Sequence, residues 1–205
     1  MKFKKSVCAL VLLGFGGQTY ATEGLYAVST LGAAKTEFAD STNNDLSYKL
    51  GIGYQIDRQW YFEAGMQKWA SDAMASELPS TLEQLQDDSL KLDTTALYAT
   101  FLGKAAGPAG ELFYRIGLLK TDIKGQQVLA GNQVCKLGHS TAISLGAEQN
   151  YSYCEFDEGG VAGVIGLGFD YFISSKMMFR TEIEYIKGQN NLSISAAYIG
   201  LRYNF

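Results

Sequence analysis

The residues that could carry out catalysis centre on one histidine. His139 is the only histidine in the sequence, and Ser140 follows it directly. A histidine that takes the proton from a serine hydroxyl is the usual arrangement for nucleophilic catalysis. However, consecutive residues of an extended chain point to opposite sides, so these two side chains would not meet. Ser71, Ser144 and Ser152 remain as other possible partners, but a lone histidine in a loop is most often an exposed side chain. We therefore predict no enzymatic activity.

Two cysteines enclose this histidine. Cys135 and Cys154 form an even pair once Cys8 is assigned to the leader described below. In a secreted protein such a pair favours one disulfide bond. A metal site with His139 is the alternative, but the closely spaced ligand pair that is typical of zinc sites is missing. The sequence predicts a Cys135–Cys154 disulfide, no metal and no cofactor.

The first residues predict export from the cytoplasm. Three lysines precede an apolar run from Val7 to Phe15, and Ala21 ends a small-residue cleavage motif. This pattern indicates a secretory signal peptide over 1–21 that is cut between Ala21 and Thr22. A membrane anchor is the alternative, but glycines shorten the apolar run well below the ~20 residues that span a bilayer. Residues 22–205 are then one domain.

The charge of the mature chain argues against nucleic acid as a partner. The leader removes three lysines and no acid, which leaves 14 basic and 21 acidic residues and a net charge of −7. A chain this acidic, without a Lys/Arg cluster, is a poor ligand for a phosphate backbone.

Alternating side chains predict strands throughout the mature chain. From Tyr48 to Ile56, large apolar residues alternate with lysine, glycine and glutamine, and similar alternation recurs along the sequence. This period of two indicates β-strands. We predict eight: 24–38, 47–56, 60–70, 92–103, 111–123, 160–172, 177–187 and 192–205.

The second face of these strands distinguishes a membrane barrel from a soluble β-sandwich. This second face, formed by the residues between the large apolar ones, mixes glycines with isolated charges. The apolar face is rich in Tyr, Trp and Phe. Glycine inside a strand needs a spatial reason, which a narrow lumen supplies. Aromatic girdles on the outer face are typical of outer-membrane barrels. The fold class is all-β: an eight-stranded antiparallel transmembrane β-barrel of up-and-down topology.

Charged residues on the second face then lie in the lumen. Because unpaired buried charges are costly, we expect them to pair across it. A network of this kind could gate a narrow ion path, but we favour a filled plug. The predicted members are Glu63, Arg115, Arg180, Glu182, Glu184 and Arg202.

The connections alternate between short and long, as the turns and loops of such barrels do. An even number of strands places both termini on the periplasmic side. The connections 39–46, 71–91 and 124–159 and the short turn at 187–191 are then external. Segment 71–91 is strongly acidic, so it could collect divalent cations or meet a basic partner, and Ser80 to Asp88 is either a short helix or a solvated loop. The cysteine pair lies in 124–159, where it could also fix a binding surface.

The last eight residues resemble the β-signal of bacterial outer-membrane barrels. Its residues here are Tyr198, Gly200, Tyr203 and the terminal Phe205. In that family the segment is recognised by the barrel-assembly machinery.

The mature chain as a whole resembles the small OmpA/OmpX-like barrels. The phrases that carry this resemblance are Lys49–Gln55, Glu63–Gly65, Gly166–Tyr171 and Arg180–Glu182. It implies a monomer in the outer membrane, in contact with lipid and lipopolysaccharide. The implied role is structural or a surface interaction with an extracellular partner, of the adhesion type. A narrow pore is the alternative, and a lipid A-modifying enzyme comes third.

Overall fold

The computed structural model describes residues 24–38, 41–71, 91–130, 135, 138–144, 150–189 and 191–205. These residues form nine strands: β1 Leu25–Phe38, β2 Ser41–Gln55, β3 Trp60–Ser71, β4 Lys91–Ala106, β5 Gly110–Ala130, β6 His139–Ser144, β7 Asn150–Phe172, β8 Met177–Gly188 and β9 Ser193–Asn204. Within the described ranges, no helix has the length and apolarity to cross a bilayer.

Eight of the nine strands close into a barrel. Each pairs antiparallel with its neighbours in the order β1, β2, β3, β4, β5, β7, β8 and β9, and the β1–β9 pairing completes the circuit. When register partners are followed from Tyr26 through each neighbouring strand, the path returns to β1 at Thr36. The strands are therefore staggered by ten residues around the barrel. Such a stagger tilts the strands by about 40° from the barrel axis. The predicted eight-stranded antiparallel barrel is confirmed.

Side chains alternate between the lumen and the outside, as the period of two predicts. On β8, Arg180, Glu182 and Glu184 are buried, and the residues between them are exposed. The exposed face carries a belt of large apolar side chains that runs on β7 from Val161 to Tyr171. Those ten steps measure about 34 Å at ~3.4 Å per residue. At a tilt of about 40° the belt is about 26 Å tall, close to the apolar band of transmembrane barrels.

Glycines on the inner face make room for aromatic rings. A Cβ placed on Gly51 would overlap the hydroxyl of Tyr98, and one on Gly53 would overlap the ring of Tyr26. Both tyrosines cross the lumen and are buried. Close approach, which the sequence pattern predicted, therefore accounts for these glycines.

The interior is layered along the axis. In the half away from the termini, apolar side chains fill the lumen. They include Trp69, Ile186 and Ile194, all fully buried. Leu192 belongs to the tight β8–β9 connection and turns inward to close this layer, with 1% of its surface exposed. Polar and charged side chains occupy the remainder, together with Tyr26, Tyr61, Leu102 and Phe113.

Several strands are longer than the sequence predicted. Residues 41–46 belong to β2, and residues 124–130 and 150–159 extend β5 and β7, where we predicted loops. The sixth strand, His139–Ser144, was not predicted. These segments lie beyond the apolar belt, so the apolar–polar alternation that marks a lipid-facing strand is absent from them. The helix or loop considered for Ser80 to Asp88, the proposed divalent-cation site within 71–91 and the leader with its Ala21–Thr22 cleavage site fall outside the described residues, apart from the two ends of 71–91.

Candidate functional site

Two acids of β8 belong to the part of a lumenal charge network that lies farther from the termini. Lys49 of β2 reaches Glu182 at 2.6 Å and Glu184 at 3.3 Å from its Nζ atom. Arg115 of β5 reaches the same two carboxylates at 2.7 and 3.3 Å through Nη1. Two cations and two anions thus form a balanced cluster, with all four side chains buried.

A second balanced cluster lies nearer the termini. Asp170 accepts hydrogen bonds from Lys104 at 2.9 Å and from Arg202 at 3.1 Å. Glu111 accepts from the same two cations, at 2.9 and 2.8 Å. The Glu111 side chain is the most exposed of the four, at 12%. This cluster therefore meets solvent only at the rim of the barrel that carries the termini.

Glu63 and Arg180 join the two clusters. Arg180 donates to Glu63 at 2.8 Å and makes a two-pronged contact with Asp170, at 2.7 Å from Nε and 2.8 Å from Nη2. Glu63 also lies 3.4 Å from Arg115. Among the described residues, five cations and five anions form one continuous network without net charge. Charge balance matters because a buried ion without a partner loses its hydration free energy with no compensating interaction.

Neutral groups complete the hydrogen bonding of the acids. Tyr26 and Tyr98 donate to Glu63 at 3.3 and 3.2 Å. The side-chain amide of Gln67 donates to Glu184 and, at 2.8 Å, to the hydroxyl of Tyr198. Aromatic rings also lie beneath the cations: the Arg202 guanidinium is 4.0 Å from the centre of the Tyr26 ring. Ions, tyrosines and the apolar layer together fill the lumen.

The structure places all six predicted charges in the lumen but changes some of their partners. Arg202 contacts Asp170 and Glu111, whereas the sequence analysis considered only Glu63, Glu182 and Glu184 as acids. Sequence reasoning missed four members, namely Lys49, Lys104, Glu111 and Asp170. A signal for two of them was present, since Lys49 alternates with Gly51 and Gly53, and Asp170 with Gly166 and Gly168.

A three-stranded sheet projects beyond the apolar belt, and we call it the extension. It consists of residues 124–130 of β5, 150–157 of β7 and the whole of β6. Its central strand is β7, which pairs with β5 on one side and with β6 on the other. Phe156 anchors the extension to the barrel through a ring contact of 5.6 Å with Phe38 of β1.

A disulfide ties the extension together. Cys135 and Cys154 are bonded in the structure, with their Cα atoms 5.7 Å apart. Cys154 lies in β7 opposite Ser140, so the bond fastens the approach to β6 against the central strand. Beside it, Val128 and Tyr153 pack together. Burial, reinforced by the nearby Glu155 carboxylate, raises the pKa of the Tyr153 phenol.

The structure does not join His139 and Ser140. Both are exposed and occupy consecutive positions of β6, whose side chains point to opposite faces. Strand geometry therefore excludes a direct hydrogen bond between the two side chains. In the described part of the chain, no three His, Cys, Asp or Glu side chains are arranged to hold a metal ion.

Tyr198, Gly200 and Tyr203 of the predicted assembly signal lie on β9, the closing strand, and Phe205 follows its last residue. Tyr198 points inward and shares a hydrogen bond of 2.7 Å with Ser47. Tyr203 and Phe205 point outward, with their rings 5.5 Å apart. Gly200 has no side chain to clash with the β1 backbone, which a Cβ would overlap.

Comparison with known proteins yields one family and several structures of the same fold. Residues 7–205 match the family described as outer membrane protein beta-barrel domain. None of the curated proteins matches the sequence.

Neisserial surface protein A (NspA) is similar in structure, with a TM-score of 0.60, 13% identity, and coverage of 89% of this chain and 97% of that one. Ail, the attachment invasion locus protein of Yersinia pestis, has a TM-score of 0.55, 12% identity, and coverage of 89% and 99%. Its complex with the heparin analogue sucrose octasulfate gives a TM-score of 0.54, 12% identity and the same coverage. Since the family match spans nearly the whole chain and the strands close as they do in these barrels, the protein belongs to the outer membrane protein beta-barrel domain family and resides in the bacterial outer membrane.

Proposed function

We propose that this protein is a surface-interaction protein in which the barrel is a closed anchor and the extension makes the contact. The observation that carries the proposal is the continuation of β5 and β7 past the apolar belt, with β6 and a disulfide added to them. A barrel that served only to fill the membrane would not need an ordered sheet outside it. External segments on a rigid scaffold are where binding residues concentrate.

The lumen supports an anchor rather than a pore. A permeating ion would have to displace a neutral network of ten charged side chains and then cross the apolar layer around Trp69. Neither region is lined by unpaired charges of one sign, which is how ion-conducting pores attract their ions. We expect no openings in planar bilayers for the natural protein or for Arg115→Ala. Regular openings in either one would favour the pore.

The names of two similar barrels are consistent with this proposal. NspA is a surface protein, and Ail is an attachment invasion locus protein. Ail also has a structure with a heparin analogue, but the β7 part of this extension carries Glu155 and Asp157 and no base, and Glu158 follows it directly. A polyanion is therefore not the ligand that its charges favour.

The remaining partners belong to the same proposal. We infer that the protein is a monomer, that lipid and lipopolysaccharide surround its apolar belt, and that the barrel-assembly machinery inserts it by reading Tyr198, Gly200, Tyr203 and Phe205. His139 is exposed and its side chain points to the opposite face from that of Ser140, which gives no support to a lipid A-modifying activity.

Adhesion of bacteria that carry a shortened protein tests the proposal. Lys124 and Asp157 are register partners at the base of the extension, so an Asn-Gly turn placed between them replaces residues 125–156 with a tight hairpin. We expect this variant to retain heat-modifiable gel mobility and to lose at least about tenfold in adherence to epithelial cells or extracellular matrix. The matched control is Gln59→Lys, which changes an exposed turn at the opposite end of the barrel and should keep full adherence. Undiminished adherence of the shortened protein would refute an extension-mediated contact.

A further inference from the structure

Strand β6 gives this molecule an open sheet edge. Within the closed circuit of the barrel, each strand is paired with a neighbour on both sides, which removes the sheet edges there. One side of β6 pairs with β7 from His139 to Ser144. Across the parts of the chain that the structure describes, no strand pairs with its other side. The four side chains described on β6, from His139 to Ala142, are all exposed.

The composition of β6 does not protect this edge. Natural sheets usually block an exposed edge with lysine, other charges, proline or a bulge. The six residues His-Ser-Thr-Ala-Ile-Ser contain no lysine, acid or proline, and their pairing with β7 shows no register shift. An edge of this kind is able to accept a further strand through its main-chain groups.

The edge is also held in place before a partner arrives. The disulfide fastens Cys135, which lies just before β6, to Cys154, the fifth residue of β7. Because β7 continues without interruption into the barrel, β6 rests on a strand of 23 residues. Ordering the edge in advance lowers the entropy that binding must remove.

The charges beside the edge select among polypeptides. Glu155 and Asp157 are exposed, Glu158 is partly exposed, and residues 150–160 contain no lysine or arginine. Lys124 lies across β7 on β5, with its Nζ atom 3.5 Å from Asp157, and Lys136 stands three residues before β6 in the sequence. A strand that approaches β6 therefore meets a neutral edge strand whose neighbour, β7, carries acidic side chains. Basic residues in the partner would be attracted, and acidic ones repelled.

We propose that β6 binds an extended, basic segment of an extracellular polypeptide by strand addition. This inference rests on the proposed surface-interaction function and names the surface and the class of partner. The partner's backbone pairs with the open side of β6 and extends the sheet to four strands. Its lysines or arginines lie close to Glu155 and its acidic neighbours.

Synthetic peptides on the full-length protein in nanodiscs test this pairing. The probe is fluorescein-labelled Lys-Thr-Val-Thr-Val-Thr-Lys, compared with the same peptide flanked by Glu and with one that carries Pro at its centre. We expect the lysine-flanked peptide to bind at least about tenfold more tightly than the glutamate-flanked one, and the proline peptide not to bind. Amide hydrogen exchange at Ser140–Ala142 should slow when the lysine-flanked peptide is bound.

Two variants tie the binding to the edge. Ala142→Lys places a charge on the exposed edge and should weaken binding at least about tenfold, whereas Gln59→Lys, the same charge in an exposed turn at the opposite end, should leave it unchanged. Glu155→Gln should reduce the preference for lysine over glutamate flanks. Heat-modifiable mobility verifies that each variant has folded.

Equal binding of the proline peptide, or no effect of Ala142→Lys on binding, would overturn the proposal. Concentration-dependent dimers that Ala142→Lys abolishes would also overturn it, since the occupant of the edge would then be a second copy of this chain. Loss of adherence in the shortened protein together with unchanged peptide binding by Ala142→Lys would refute the edge and leave the surface-interaction function standing. Retained adherence in the shortened protein would instead refute that function.

Discussion

Removal of the Arg180 guanidinium should destabilise the barrel strongly, and a second substitution should restore much of the loss. Arg180 joins the two balanced clusters through three short contacts with Glu63 and Asp170, and its side chain is fully buried. Arg180→Met keeps the approximate volume of the side chain but leaves the lumen with an unmatched negative charge. Breaking a buried ion pair from one side costs about 3 to 5 kcal/mol.

The compensating change is Glu63→Gln. In the double variant, Lys49 and Arg115 still face Glu182 and Glu184, and Lys104 and Arg202 still face Asp170 and Glu111. Each cluster is then neutral by itself. We expect the double variant to recover at least half of the loss caused by Arg180→Met, although Glu63→Gln alone is also destabilising.

Urea unfolding from lipid vesicles measures these differences, with the fluorescence of Trp60 and Trp69 as the signal. For a slope of about 2 kcal/mol per M, the single variant should lower the unfolding midpoint by about 1.5 to 2.5 M. If Arg180→Met costs less than about 1 kcal/mol, or if the double variant loses the sum of the two single changes, charge balance does not hold the lumen together.

Three further changes test other parts of the structure. Leu167→Arg on the outer face, where the side chain is 57% exposed, should cost about 2 to 4 kcal/mol in vesicle unfolding if that face contacts lipid, and a cost near zero would contradict the membrane orientation. Gly51→Ala should lower the free energy of unfolding by about 1 to 3 kcal/mol, because the new methyl group would overlap the Tyr98 hydroxyl. Adding Tyr98→Phe should restore part of this loss. Equal unfolding of the natural and Gly51→Ala proteins would show that the lumen can relax. Replacement of Cys135 and Cys154 by serine removes a cross-link that stabilises the loop it closes by about 3 kcal/mol. Proteolysis within 124–159 should therefore accelerate, while the barrel keeps its heat-modifiable mobility. An unchanged cleavage rate would mean that the strands alone order the extension.

The barrel could be predicted because lipid contact leaves a regular trace in the sequence. Leu50, Ile52 and Tyr54 face outward at every second position, and the glycines and charges between them face inward. The same alternation is what placed Glu63 and Arg180 in the lumen. Strand ends within the belt were accordingly predicted to within a few residues.

Which charges meet across the lumen could not be predicted from single strands. Arg202 contacts Asp170 and Glu111 because a stagger of ten residues brings those positions of β7 and β5 to its level. That stagger is a property of the closed barrel, since it follows from all eight pairings together. Alternation along one strand shows whether a side chain faces the lumen or the lipid, but not its position along the barrel axis.

The extension left little trace because its surroundings differ from those of the belt. Val128 and Tyr153 lie on the face that would meet lipid lower down, yet they are buried against each other above the belt. The cysteine pair was the only sequence signal there, and it indicated a tied loop rather than a three-stranded sheet.

The continuity of β7 has a mechanical consequence. Any pull on β6 passes to β7 through a six-residue ladder and the disulfide, and then along the same strand to its neighbours β5 and β8 in the barrel. A load directed along the strands is shared by many hydrogen bonds at once instead of opening them one after another. In the proposed contact, tension on a partner bound to β6 would therefore reach the barrel through one continuous strand.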